Sequence, residues 1–330
     1  MGASSSLFIA GSSALILLGG VACEKTPEAL RKEFPFVLDW PDRRPIGQLL
    51  LARCSSGWSG NPRGWFNNET LDVSGKKGQI DFERDLRRYA DQSIAFLTRL
   101  KAQGVIVWDL EGEEFPQPSA TFAGDPRLLG RVAPEMDAAA DDFFRQFTEK
   151  GFRVGVCLRP QRVVFDGVRH FHQEEYWFDS EAIYRELNEK INYAQRRWNC
   201  TLFYIDSNFG PLNFGLYDVT IFQRLRKEHP DCLLIPEFEN ASYFSCTSPY
   251  YGFEGYEKWP GTRMPSSQAA PVYPGAVSVL NCAGVDFREK EDLLCRSFRR
   301  GDIFLFRCWW ASPEILGIED IFRRTNEGGS

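Results

Sequence analysis

The chain has 330 residues, 43% hydrophobic, 25% charged and 14% aromatic, with a formal net charge of -6. That acidic balance, without a clustered basic run, argues against a nucleic-acid partner, whose recognition surfaces are rich in Lys and Arg. Nine cysteines with no Cys-x-x-Cys pair and three histidines leave little material for a zinc site, so no metal and no cofactor are expected in a globular chain long enough for one large α/β barrel.

Leu7 to Val21 is an apolar segment followed by Ala22-Cys23. It is shorter than the roughly 20 residues that cross a bilayer and suits the core of a signal peptide. Gly20-Val-Ala-Cys23 resembles a bacterial lipoprotein cleavage box with Cys23 as the lipidated residue, although no Lys or Arg precedes the core. Met1-Gly2 through Ser6 also fits the N-myristoylation pattern. Residues 1–23 are therefore expected to be a signal peptide or lipoprotein anchor. The protein is expected to be exported, to the cell envelope or secreted, with the N-terminus as the route of any membrane attachment.

Residues 24–45, charged and dotted with proline, read as a linker and barrel lead-in. Ile46 to Cys54 is the first strong strand. The loop from Ser55 to Asn68 carries Trp58 and Trp65, which can stack on a sugar ring or cap the barrel end. Asp81 to Gln103 has helical apolar spacing and stops at Gly104, and Val105 to Asp109 follows as a second strand leading into Leu110-Glu111. Met136 to Lys150 is the next helix, and Phe152 to Pro160 the third strand, with Arg159 near its tip. His170 and His172 can share a strand face, but no cysteine or third histidine stands nearby.

Ser180 to Trp198 is a helix capped by Asp179 or Ser180. It feeds the strand Thr201-Leu-Phe-Tyr-Ile-Asp206, after which come Ser207 and Asn208. Tyr217 to His229 is the helix before Leu233-Leu-Ile-Pro-Glu237-Phe-Glu239. Tyr243 to Pro249 reads as a short sixth strand, with an aromatic, Gly- and Pro-rich loop from Tyr250 to Pro274 behind it. Ala276 to Asn281 is a seventh strand, Phe287 to Arg300 a helix, Ile303 to Arg307 an eighth strand and Pro313 to Thr325 a closing helix. Strands alternating with helices predict a parallel sheet. Their number favours a single (β/α)8 barrel over residues 46–325, with 326–330 as a tail. Cys157, Cys232 and Cys308 fall inside apolar runs, as buried hydrophobes do.

No glycine-rich phosphate loop follows any strand, and no Gly-x-Ser-x-Gly elbow is present. Carboxylates are what the strand ends supply. Alternation along a strand puts Leu202, Tyr204 and Asp206 on one face, and Leu233, Ile235, Glu237 and Glu239 on one face of the next strand. Glycoside hydrolysis needs two such acids across the scissile bond, one protonated and one ionised. Either Glu237 or Glu239 can be the acid. Asp109, Glu111, Arg159, Asn208, Glu239, Trp58, Trp65 and Arg307 are the candidate substrate-binding residues, for an oligo- or polysaccharide.

An aspartate ending the fourth strand and a glutamate ending the fifth resemble the layout of retaining α-glycosidase barrels, such as the α-amylase-like, melibiase-like and polygalactosaminidase-like enzymes. The resemblance implies Asp206 as nucleophile and Glu237 as acid/base, with Asp109 and Arg159 holding sugar hydroxyls or orienting the nucleophile. The Arg-x-Asp of the amylases is absent, because Tyr204 stands where that arginine would be. Two other classes compete. One is a barrel enzyme using a divalent metal held by Asp109, Asp206 and Glu237, for lyase, isomerase or phosphoesterase chemistry. The other is a carbohydrate-binding envelope protein that has lost catalysis.

Overall fold

The computed structural model describes residues 25–52, 58–113, 123–167, 171–177, 179–210, 215–252 and 264–327. The expected signal or anchor at 1–23, the end of the first predicted strand at Arg53 and Cys54, His170, and residues 253–263 of the loop after Tyr250 lie outside them.

Eight parallel strands form one sheet: β1 (Ile46–Leu49), β2 (Gly104–Val107), β3 (Arg153–Leu158), β6 (Leu202–Ile205), β7 (Leu233–Pro236), β8 (Tyr250–Gly252), β9 (Val279–Asn281) and β10 (Ile303–Arg307). A separate antiparallel hairpin, β4 (Arg162–Phe165) and β5 (Phe171–Glu174), is inserted after β3. β1 pairs with both β2 and β10, so the first and last strands are neighbours. The remaining seam, between β7 and β8, is bridged where the Ser248 amide donates to the Leu234 carbonyl at 3.0 Å. The sheet is thus rolled into a (β/α)8 barrel, with α2 (Lys76–Arg99), α3 (Leu129–Val132), α4 (Pro134–Thr148), α5 (Ser180–Trp198), α6 (Val219–Glu228), α7 (Ser266–Ala269), α8 (Glu291–Arg300) and α9 (Pro313–Glu327) along the chain between strands or after the last.

Two apolar layers follow from strand alternation. Val105, Val107, Val154, Val156, Phe203, Ile205, Leu234, Phe304 and Phe306 belong to the larger core that also takes in the helix faces. Ile106, Trp108, Cys157, Tyr204, Ile235, Val279 and Leu305 form a second core inside the ring. Leu38 and Trp40 join that inner core. They come from the lead-in, which does not hang loose: Thr26 caps the helix α1 (Pro27–Glu33), and the Trp40 indole donates to Gln103 at 3.1 Å.

Helix α5 begins and ends where the sequence predicts. Asp179 accepts from the Ala182 amide at 2.9 Å, and Asn199 takes the left-handed conformation that stops it. The sixth strand is a correction. Residues Ala241–Ser245 form a 3-10 turn capped by Asn240, and the strand comes later, at Tyr250–Gly252. The apolar run there reflects burial of a turn, since the Tyr243 ring is wholly enclosed and its hydroxyl donates to the Tyr217 carbonyl at 2.5 Å. Seven cysteines, among them Cys157, Cys232 and Cys308, are buried and unpaired among the described residues. Among those residues no helix is long and apolar enough to cross a membrane.

Candidate active site

Strand register builds the site. Cys157 lies opposite Tyr204, and Tyr204 opposite Ile235, across three adjacent strands. Two residues further along each strand come Arg159, Asp206 and Glu237, so all three have the parity of the inner core and share one layer at the C-terminal mouth. The Asp206 amide donates to the Leu158 carbonyl and the Glu237 amide to the Ile205 carbonyl, both at 2.9 Å, carrying the ladder up to that layer.

Asp206 is almost enclosed, 9% exposed. Its Oδ2 accepts from Arg159 Nε at 2.9 Å and Nη2 at 2.8 Å, and its Oδ1 from the Ser207 hydroxyl at 3.1 Å. Arg159 is itself held on its third nitrogen, Nη1 donating to Gln173 Oε1 of the hairpin at 2.8 Å. Glu237 is half-buried, and its Oε2 accepts from the Ser207 amide at 2.9 Å. Both carboxylates are therefore braced on one residue. Ser207 has φ +55°, a conformation that costs a non-glycine residue about 1 kcal/mol or more and is concentrated at functional sites.

Asn208 ties the two strand ends together, its Nδ2 donating to the Phe238 carbonyl and its Oδ1 accepting from the Phe238 amide, each at 2.8 Å. Beneath the acids lies an aromatic floor, with Trp108 and Tyr204 rings 4.1 Å apart and Tyr204 and Tyr250 5.4 Å apart. Burial, reinforced by the Glu237 and Asp206 charges, pushes the Tyr204 hydroxyl far above its ordinary range, so it stays a phenol and a donor. A third carboxylate stands at the margin: Glu175 accepts from Gln161 Nε2 at 3.1 Å and from the Tyr217 hydroxyl at 3.0 Å, and the same Gln161 amide reaches the Ser207 carbonyl at 3.2 Å.

The other sequence candidates lie elsewhere. Asp109 has the parity of Val105 and Val107, is fully buried, and accepts from the Leu51 amide at 2.8 Å and the Ala52 amide at 2.5 Å, fixing the end of β1. Glu111 is buried beside Arg63, Asp125 and Lys190. Glu239 is fully buried and accepts from the Met264 amide. Trp65 is fully buried, its indole donating to Glu135 at 2.6 Å, and Trp58 is half-buried with its backbone paired to Asn61. Arg307 does have inward parity, at the tip of β10. It is bound to Glu314 and lies 5.6 Å from the ring of Trp310, a rim tryptophan 45% exposed. Ser207, Gln161, Gln173, Glu175 and Trp310 were not singled out from sequence. Only Ser207 carried a signal, its place directly after Asp206.

Asp109 has a measurable signature. Burial lifts its carboxyl from 3.8 to about 7, against the pull of its two amide donors. Between about pH 4 and 7 the folded chain holds a proton here that the unfolded chain has released, so this residue makes stability fall as pH rises through that window. Asp109→Asn has nothing to titrate and is expected to remove a slope of up to about 1.4 kcal/mol per pH unit. Urea midpoints of both chains at pH 5 and pH 8 check it; an unchanged pH dependence would rule Asp109 out as its source.

Among the described residues no three His, Cys, Asp or Glu side chains converge as a metal site requires. A cleft of about 530 Å³ lies between the loop at Ser59–Arg63, α2 and the start of α4, and none of the inward rim residues lines it.

No protein-family model and no curated protein matches this chain. Solved structures that share features with it include a maltogenic α-amylase from Thermotoga neapolitana, 13% identical with TM-score 0.41, covering 79% of this chain and 58% of that one. The chain thus spans less than two thirds of that enzyme. Another is an α-amylase from Geobacillus thermoleovorans in complex with acarbose, 11% identical with TM-score 0.46, covering 86% of this chain and 79% of that one. A third is an endocellulase from Pyrococcus horikoshii in complex with cellotetraose, 10% identical with TM-score 0.42, covering 71% and 86%.

Proposed function

We propose that this protein hydrolyses O-glycosidic bonds with retention, Asp206 acting as nucleophile and Glu237 as acid/base. The observation that carries the reading is the bracing of both carboxylates on Ser207, one on its amide and one on its hydroxyl. The acids also occupy adjacent, in-register positions on parallel strands, whose backbones run about 4.8 Å apart. That favours the short separation of about 5–5.5 Å suited to double displacement over the 6.5–9.5 Å that leaves room for a water.

In the first step Asp206, held in place by Arg159, attacks the anomeric carbon while Glu237 protonates the departing oxygen. In the second, Glu237 takes a proton from water, which displaces the sugar from Asp206. The enclosed aromatic floor gives the sugar ring an apolar surface to lie against, and Trp310 extends the apolar surface at the rim. An oligo- or polysaccharide is the substrate class. A metal-dependent reading has less support, because Asp109 faces away from the mouth.

Arg159→Met leaves the Asp206 charge without its guanidinium and unfixes the nucleophile. It is expected to lower kcat by about a hundredfold or more, the size of a misplacement of about 1 Å, with KM little changed. Steady-state kinetics on aryl glycosides tests this, and a variant as fast as wild type would contradict it.

A further inference from the structure

Lys190 lies in the middle of α5 and is completely buried. Its ammonium donates to the carbonyl of Arg159 at 2.7 Å and to that of Gln161 at 2.9 Å. Both carbonyls lie just past the end of β3, outside its ladder. The side chains of the same two residues are the ones committed to the carboxylate layer: Arg159 to Asp206, and Gln161 to the Ser207 carbonyl and Glu175. One ammonium therefore pins the short backbone segment from which both supports emerge. Its charge is balanced by Glu186 Oε1 at 3.1 Å and by Asp125 Oδ2 at 3.7 Å. Arg127 binds both of those acids, so neither turns away.

Burying an ammonium costs several kcal/mol, and apolar side chains of similar volume pack a helix against a sheet at least as well. A lysine here is explained by what it grips. We propose that Lys190 is a positioning residue of the carboxylate site, acting through the backbone of Arg159 and Gln161 to hold the guanidinium on Asp206. The proposal rests on the reading of Asp206 as nucleophile.

The test is a cycle of Lys190→Met, Arg159→Met and the double variant of the full chain, with crystal structures of the wild type and of Lys190→Met. Lys190→Met is expected to lower kcat by about a hundredfold with KM nearly unchanged. In the Arg159→Met background the same change should cost less than about threefold, because residues acting through one another are not additive. In the crystal, the guanidinium of Arg159 should stand more than 4 Å from Asp206. Equal losses in both backgrounds, undiminished turnover, or an intact Arg159–Asp206 contact would overturn the proposal. If Lys190→Met does not fold, Lys190→Gln replaces it in the same cycle with the same expectations. A wild-type protein inactive on every glycan would defeat the glycosidase reading instead, and the crystal structures would still decide the role of Lys190.

Discussion

Asp206→Asn is expected to reduce glycoside turnover on the order of 10⁴-fold or more, the scale seen when a covalent nucleophile is removed. The amide is isosteric, so the Ser207 hydroxyl keeps an acceptor, but the group can no longer attack the anomeric carbon. A second effect should accompany the first. Arg159 is buried against Asp206 with a side chain only 10% exposed, so it loses its counter-ion in an enclosed site. Breaking such a pair costs about 3–5 kcal/mol. Turnover and urea unfolding measured on the same preparation separate chemistry from stability. Normal turnover in a destabilised variant would make the pair structural, whereas a wild type as inactive as the variant is what a carbohydrate-binding protein without catalysis would show.

Glu237→Gln should behave differently. Its carbonyl oxygen still accepts from the Ser207 amide, so the strand end stays in place while the proton is lost. Hydrolysis of unactivated glycosides is expected to fall by about 10²–10⁴, the usual contribution of a general acid. Aryl glycosides whose leaving groups need no protonation should be cleaved far less slowly in the first step, and a plot of rate against leaving-group pKa shows the difference. Equal losses across all leaving groups would argue against Glu237 as the acid. The same plot for Glu239→Gln discriminates between the two acids. Glu239 is fully buried and bound to the Met264 amide, so its loss is expected to lower stability without sensitivity to leaving group.

The barrel was legible because alternating apolar runs and capped amphipathic helices survive as local signals. The candidate site was legible only in part, and the cause is parity. The runs Val105 to Asp109 and Thr201 to Asp206 look alike, each a buried strand ending in an acid. A strand buried on both faces has no polar alternation to mark which side chains point inward. Asp206 shares the face of Tyr204 and reaches the mouth, whereas Asp109 shares the face of Val107 and turns toward the helices. Trp65 misleads for a related reason, since a tryptophan in a Gly- and Asn-rich loop gives no sign of whether the loop folds over it. The hairpin β4–β5 and its Gln173 and Glu175 were out of reach, because their part in the site depends on contacts with Arg159 and Gln161 that no local pattern encodes. Lys190 reads as an ordinary helix lysine until the strand ends are placed against it.

The most direct measurement is the product formed by Asp206→Gly in the presence of azide. A variant nearly inactive in buffer should regain turnover as azide enters the space left by the carboxylate, giving a glycosyl azide of anomeric configuration opposite to the substrate. Wild-type-like activity in buffer alone, or an inactive variant that azide does not revive while the wild type cleaves the same glycoside, would contradict Asp206 as the nucleophile.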